Sequence, residues 1–267
     1  MRSVLGLRVA SAAVLAPLAI GAVLLGGWAF ALLVLAAAVI LAWEWRRLLG
    51  PGGPLPLPAT VAAVWAVAAF APPPGAIAVL LVAAAVQAAS ESAARARPAW
   101  AASGVLYVGL PVIALLWLRG TGPTGAVVVL WLMAVVWATD IGAYAAGRLL
   151  GGPKLAPAWS PNKTWAGALG GIAAAAGAAA VIGALGYAAL LPSVLTAAGL
   201  SVVAQAGDLA ESVVKRRFGV KDMGTLIPGH GGLFDRLDSM LAAAPILALF
   251  MAAGGGEAGL WQATSGG

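Results

Sequence analysis

The chain has no cysteine, one histidine (His230) and few charges, with 15 Lys and Arg and 9 Asp and Glu in 267 residues. Without cysteine there is no disulfide, thiolate nucleophile, iron–sulfur cluster or cysteine-type zinc site, and one histidine cannot build a multi-histidine metal centre. Any metal must sit on oxygen. Charged residues make up 9% against roughly 25% in ordinary soluble domains, which excludes a soluble globule. Two nucleotide and ester motifs are missing as well: there is no G-x-x-x-x-G-K-[ST] loop and no G-x-S-x-G elbow.

What is present is apolar. Hydrophobic side chains reach 62%, and nine runs suit membrane crossing: Val9–Leu25, Trp28–Trp43, Leu57–Ala71, Ala76–Ser90, Ala101–Leu118, Gly125–Thr139, Trp165–Tyr187, Leu190–Gly207 and Met240–Ala253. A helix needs about 20 residues to cross a hydrocarbon core of ~30 Å. Leu57–Ala71, 15 residues long, is the short one. The first run follows Arg2 and Arg8 as a signal peptide would, yet the second follows at once through Gly26-Gly27, so the pair reads as a retained helical hairpin. The expected fold is all-α, a polytopic membrane protein with about nine transmembrane helices and a cytoplasmic N-terminus. With that topology 14 of the 15 basic residues lie inside and only Arg119 outside, as the positive-inside rule asks. The net charge of +6 therefore sets orientation and holds phosphate or anionic lipid, and no nucleic-acid partner is expected. Residues 1–267 read as a single integral membrane domain, with 140–165 and 208–238 as cytoplasmic-side active-site segments.

Charge is concentrated. Ten of the 24 charged residues fall between Asp208 and Asp238, together with His230 and the stretch Pro228-Gly229-His230-Gly231-Gly232, whose glycines let backbone amides approach an anion. If the eighth helix continues past Gly207, Asp208, Glu211, Ser212 and Lys215 share one face; Asp235 and Asp238 share another at the start of the ninth. Two or three carboxylates around one cation, completed by substrate phosphates, suit Mg²⁺. The alternative is an interfacial salt-bridge network of Asp208, Asp235 and Asp238 with Arg216, Arg217 or Arg236. A second group surrounds Asp140, an acid at the end of an apolar run that has a task or pairs with Arg148. Ser160-Pro161 reads as a turn, and Lys163 with Thr164, at the start of the seventh span, suits phosphate at a helix N-terminus. A lone loop histidine is either a structural hydrogen-bonding residue or a general base.

The segment Ser212-x-x-Lys215-Arg216-x4-Lys221-Asp222-x-Gly224-x2-Ile227-Pro228-x-His230-Gly231-Gly232-Leu233-x-Asp235-Arg236-Leu237-Asp238 resembles the signature of the phosphatidate cytidylyltransferases, also called CDP-diacylglycerol synthases. It covers 27 residues. Ser160–Trp165 is similar to a second family stretch and departs from it at Asn162 and, just beyond, at Ala166, where lysine and glutamate are expected. The N-terminal third resembles the family only in being membrane-embedded. The resemblance implies that CTP and phosphatidate give CDP-diacylglycerol and pyrophosphate for phospholipid synthesis, with Mg²⁺, in a multi-pass protein of the cell (inner) membrane whose site faces the cytoplasm. It implies metal binding by Asp208 and Asp235, with Asp238 either a further ligand or a residue that supports the ligands from behind. Lys215, Arg216, Lys221 and Arg236 then hold phosphates, and Gly231 and Gly232 give backbone access; we take Asp208, Asp235, Lys215 and His230 as the catalytic residues, His230 in its glycine-rich loop being better suited to orienting phosphate than to attacking it. We place Ser212, Asp222, Asp140 and Lys163 among the substrate-binding residues and leave a homodimer open. A CTP-dependent polyprenol kinase would use similar residues to move the γ-phosphoryl group. A transporter would place its charges near the midplane.

Overall fold

In the computed structural model, residues 4–226 and 231–254 are described. Nine α-helices are present among them: α1 (Val4–Leu25), α2 (Gly27–Leu49), α3 (Leu57–Ala68), α4 (Pro73–Ala93), α5 (Pro98–Arg119), α6 (Gly125–Leu150), α7 (Trp165–Ala184), α8 (Leu190–Arg217) and α9 (Phe234–Phe250). Each overlaps one apolar run of the sequence, and the protein is an all-α, multi-pass membrane protein. Seven of the helices, α2 and α4 to α9, are long and apolar enough to cross a bilayer; α3 has only 12 residues, and of α1 the stretch Ala13–Leu25 counts as a shorter apolar helix. Large side chains such as Leu25, Phe70, Leu149 and Leu185 face outward, as lipid-facing residues do, while internal hydrogen bonding of the helices satisfies the backbone. Gly26 and Gly27 have φ of 64° and 49°, the left-handed conformation that makes the tight α1–α2 turn cheap for glycine alone. Arg119 Nε closes this turn by donating to the Val23 carbonyl at 2.6 Å.

The helices fall into two compact units. One lies within residues 1–121 and 218–237 and contains α1 to α5 and the start of α9. Its core joins Leu57, Val61 and Val64 of α3 with Leu80 of α4 and Val105 and Val108 of α5. An aromatic cluster fixes one end: Tyr107 stacks on Phe234 with ring centroids 5.5 Å apart, and Trp45 lies 5.5 Å from Phe234 and 5.9 Å from Tyr107. Trp45 Nε1 also donates to the Trp100 carbonyl at 2.8 Å. A buried polar chain ties α2, α3 and α4 together. Arg46 pairs with Glu91 at 2.6 Å, Gln87 donates to Glu91 at 3.3 Å, and Thr60 donates to Gln87 at 2.7 Å.

The other unit lies within 122–217 and 238–267. Here α6 and α7 pack through small residues. A Cβ added at Gly142 would collide with Ala174, one at Gly170 with Ala146, and one at Gly167 would sit 2.9 Å from the Ala143 carbonyl. Such close backbone approach is how helices associate where lipid removes the hydrophobic drive. Between them Lys154–Ala156 (β1) and Ser160–Thr164 (β2) form an antiparallel hairpin. Ser160-Pro161, read from the sequence as a turn, thus begins a strand. Thr164 then caps α7, its Oγ1 accepting from Gly167 N at 3.1 Å. The sequence reading ended the sixth span at Thr139, whereas α6 continues to Leu150. Asp140, Tyr144 and Arg148 lower the hydropathy without breaking the helix, so the apolar run stops before the helix does.

Candidate active site

Helix α8 continues beyond Gly207 to Arg217, and this continuation builds the site of the second unit. At 1.5 Å per residue, Asp208 stands ~27 Å from the start of α8, near the depth at which a span leaves the hydrocarbon. One turn earlier, Gln205 Nε2 anchors the helix to the Ala168 carbonyl of α7 at 3.2 Å. Gly207 lets α9 come close: a Cβ there would lie 3.0 Å from the Asp238 carbonyl. As a result, carboxylate oxygens of Asp208, Glu211 and Asp238 lie within 4.8 Å of one another. Glu211 and Ser212 are buried, and Asp208 and Asp238 are half-buried.

Two ammonium groups flank the cluster. Lys163 Nζ, delivered by β2, pairs with Asp208 Oδ2 at 2.8 Å, and Lys215 Nζ pairs with Glu211 Oε2 at 2.5 Å, one helical turn on. Asp140 lies close enough to act electrostatically on Asp238, and its Oδ1 accepts from Ser239 Oγ at 3.3 Å. The Ser239 amide donates to Asp238 Oδ1 at 2.7 Å. Arg216 Nε donates to the Trp159 carbonyl at 3.3 Å, and Arg148 donates to the Tyr144 hydroxyl at 3.1 Å. Asp208 therefore has a lysine as its partner, and not one of the arginines that the salt-bridge alternative invoked.

Asp235 belongs to the first unit. It is buried, and its Oδ2 accepts from the amides of Met223 and Gly232, both at 2.9 Å. Lys221, Asp222 and Arg236 are exposed, Gly232 is buried, and Gly231 has a φ of 83°. His230 lies outside the described residues. Neither Glu211 nor Glu44 was assigned a metal or substrate role from the sequence. Glu211 carried a legible signal, its i+3 spacing from Asp208. Glu44 carried a weaker one, an acid between Trp43 and Trp45 at the end of an apolar run.

The donor set of the second unit fits a hard divalent cation. Three carboxylates within 4.8 Å match oxygen ligands placed ~2.0–2.6 Å from a common centre. Like charges this close repel strongly at low dielectric. When all are ionised, Asp208, Glu211, Asp238 and the nearby Asp140 set four negative charges against the two ammoniums of Lys163 and Lys215, a deficit that a divalent cation would balance.

Comparison with known proteins extends these observations. The profile of the Cytidylyltransferase family matches residues 6–253. A Pseudomonas aeruginosa protein named phosphatidate cytidylyltransferase is 40% identical over 264 residues, covering 93% of this chain and 97% of its own length. A Brucella suis protein of the same name is 51% identical over 156 residues, 57% of this chain and 56% of that protein. A Bacillus subtilis protein, also of that name, is 40% identical over 152 residues, 55% of each. The matched stretch thus spans little more than half the length of the last two relatives. With its profile matched from residue 6 to residue 253, the chain belongs to the cytidylyltransferase family.

Proposed function

We propose that residues 1–267 act as one integral membrane enzyme of the inner membrane that transfers the cytidylyl group of CTP to phosphatidate, with its site on the cytoplasmic side. The observation that carries this reading is the cluster of Asp208, Glu211 and Asp238 with Lys163 and Lys215 beside it, in a family of cytidylyltransferases. A phosphatidate oxygen forms a bond to the α-phosphorus of CTP; the bond between that phosphorus and the bridging oxygen breaks, and pyrophosphate leaves with the electron pair. The lipid phosphate is itself the nucleophile, so the protein needs only to bring two anions together and offset their charge.

Bound Mg²⁺ would supply charge neutralisation at the transferring phosphoryl and pyrophosphate oxygens. Asp208, Glu211 and Asp238 would hold it. Lys163 and Lys215 lie at the edge of the cluster, where their ammoniums can exchange carboxylate for phosphate oxygen, and Arg216 offers further donors from the next position. Asp235, assigned to the metal by resemblance, and Ser212, Lys221, Asp222, Arg236 and Asp140 are proposed as further contributors to substrate binding and catalysis. A lipid substrate favours a membrane enzyme, because withdrawing acyl chains costs ~0.8 kcal/mol per CH₂. A homodimer is compatible with this scheme and not required by it.

The aqueous products test the proposal. Purified protein given CTP and Mg²⁺ should release pyrophosphate only when phosphatidate is added. Release of CDP on addition of a polyprenol would instead mark γ-phosphoryl transfer, and binding of CTP without turnover of either kind would contradict an enzyme of this class.

A further inference from the structure

We propose that Glu44, in the N-terminal helical part of the chain, is a positioning residue for this reaction: it holds the start of α9 so that Asp235 is presented at a fixed place. This inference rests on the cytidylyltransferase reading and adds a residue to it. Glu44 lies near the end of α2 and is fully buried, at 0% exposure. Its Oε1 accepts from Leu233 N at 2.9 Å and its Oε2 from Phe234 N at 2.8 Å. Those amides begin a helix and have no intrahelical carbonyl to bond. The amide just before them, Gly232 N, goes to Asp235 Oδ2 at 2.9 Å, and Met223 N reaches the same oxygen at 2.9 Å. Two carboxylates thus divide three consecutive amides, and Glu44 takes the pair on which the entry of α9 depends.

The glycines fit this role. A Cβ at Gly232 would lie 2.7 Å from Glu44 Oε1 and 2.8 Å from Oε2, and one at Gly224 would collide with the same carboxylate. A Cβ at Gly231 would come within 3.0 Å of Asp235 Oδ2. Two glycines of the signature therefore make room for Glu44, a residue 180 or more positions away in the chain. The side chain of Phe234 is held at the same time between Trp45 and Tyr107. A local Ser or Asp cap would satisfy a helix start at lower cost, whereas a fully buried acid near the end of an apolar span is expensive. That cost is understandable where the backbone must be fixed to orient a functional side chain, and loss of such an orienting partner typically lowers activity or metal affinity 10- to 100-fold.

The test uses full-length protein in mixed micelles, with Glu44→Gln and, with Glu44 intact, Gly224→Ala. Three quantities are read: amide hydrogen exchange over Gly231–Asp238, the kcat and KM for CTP per folded molecule, and the Mg²⁺ concentration for half-maximal rate. Both variants should exchange at Leu233 and Phe234 at least about tenfold faster, lose about 10- to 100-fold in kcat with KM for CTP little changed, and need more Mg²⁺. A role in folding alone would lower yield and melting temperature and leave kcat and the Mg²⁺ dependence at wild-type values, which would overturn the proposal. Unchanged exchange would overturn it too. If Glu44→Gln gives no folded protein, Gly224→Ala decides by the same readings. Should wild-type protein transfer no label from CTP to phosphatidate, the functional reading falls, and exchange at Leu233 and Phe234 alone decides whether Glu44 holds the segment.

Discussion

At the scale of single residues, the carboxylates Asp208 and Asp238 carry the strongest expectation. An amide at either position keeps the shape but cannot replace the anionic ligand that a hard cation needs. Asp208→Asn and Asp238→Asn should each retain less than about a tenth of the wild-type rate, a loss of more than ~1.4 kcal/mol in transition-state stabilisation. Initial rates per folded protein check this, and a near-normal rate in both variants would return the cluster to a salt-bridge role. Residues of this group were legible from the sequence because Asp208, Glu211, Ser212 and Lys215 are spaced for one helical face. The pairing of Lys163 with Asp208 was not, since it depends on a hairpin that turns β2 back toward α8. Glu44 was missed for the same reason: its partners are 189 and 190 positions away, and no local pattern encodes them.

At the scale of elements, α7 illustrates what local chemistry fixes. Its start is written in Thr164, whose side chain accepts from Gly167 N. Thr164→Ala should destabilise the protein by ~1 kcal/mol, read as a lowered midpoint of thermal unfolding in detergent; an unchanged midpoint would mean that the cap contributes nothing. Its packing is set by glycine. Gly170→Leu places a side chain where Ala146 of α6 already stands, and should lower that midpoint further than the cap variant does, because the α6–α7 contact has no slack. The β1–β2 hairpin was not foreseen. Pro153, Pro157 and Pro161 crowd it, and such a composition signals a turn while the pairing is decided in three dimensions. The length of α6 was likewise hidden, because hydropathy reports the lipid boundary and the helix runs past it.

At the scale of the whole molecule, each apolar run overlaps a helix, because the length of an unbroken apolar run suffices to mark an apolar helix. The expected orientation rests on the distribution of basic residues and is open to direct test in a chain that has no cysteine. Cysteines introduced singly at Pro54, Pro123 and Leu226, all exposed, should react with an impermeant thiol reagent from outside intact cells only at Pro123. External labelling at Leu226 would place the 218–237 segment on the wrong side for CTP. The central claim, that the chain moves the cytidylyl group and not a terminal phosphoryl group, is tested most directly by tracing one atom. Purified protein is incubated with Mg²⁺, phosphatidate and CTP labelled at the α-phosphorus, and the organic phase is counted. The account predicts label in the lipid, in equal amount to the pyrophosphate released; an unlabelled lipid phase, with label entering it only from γ-labelled CTP, would contradict it.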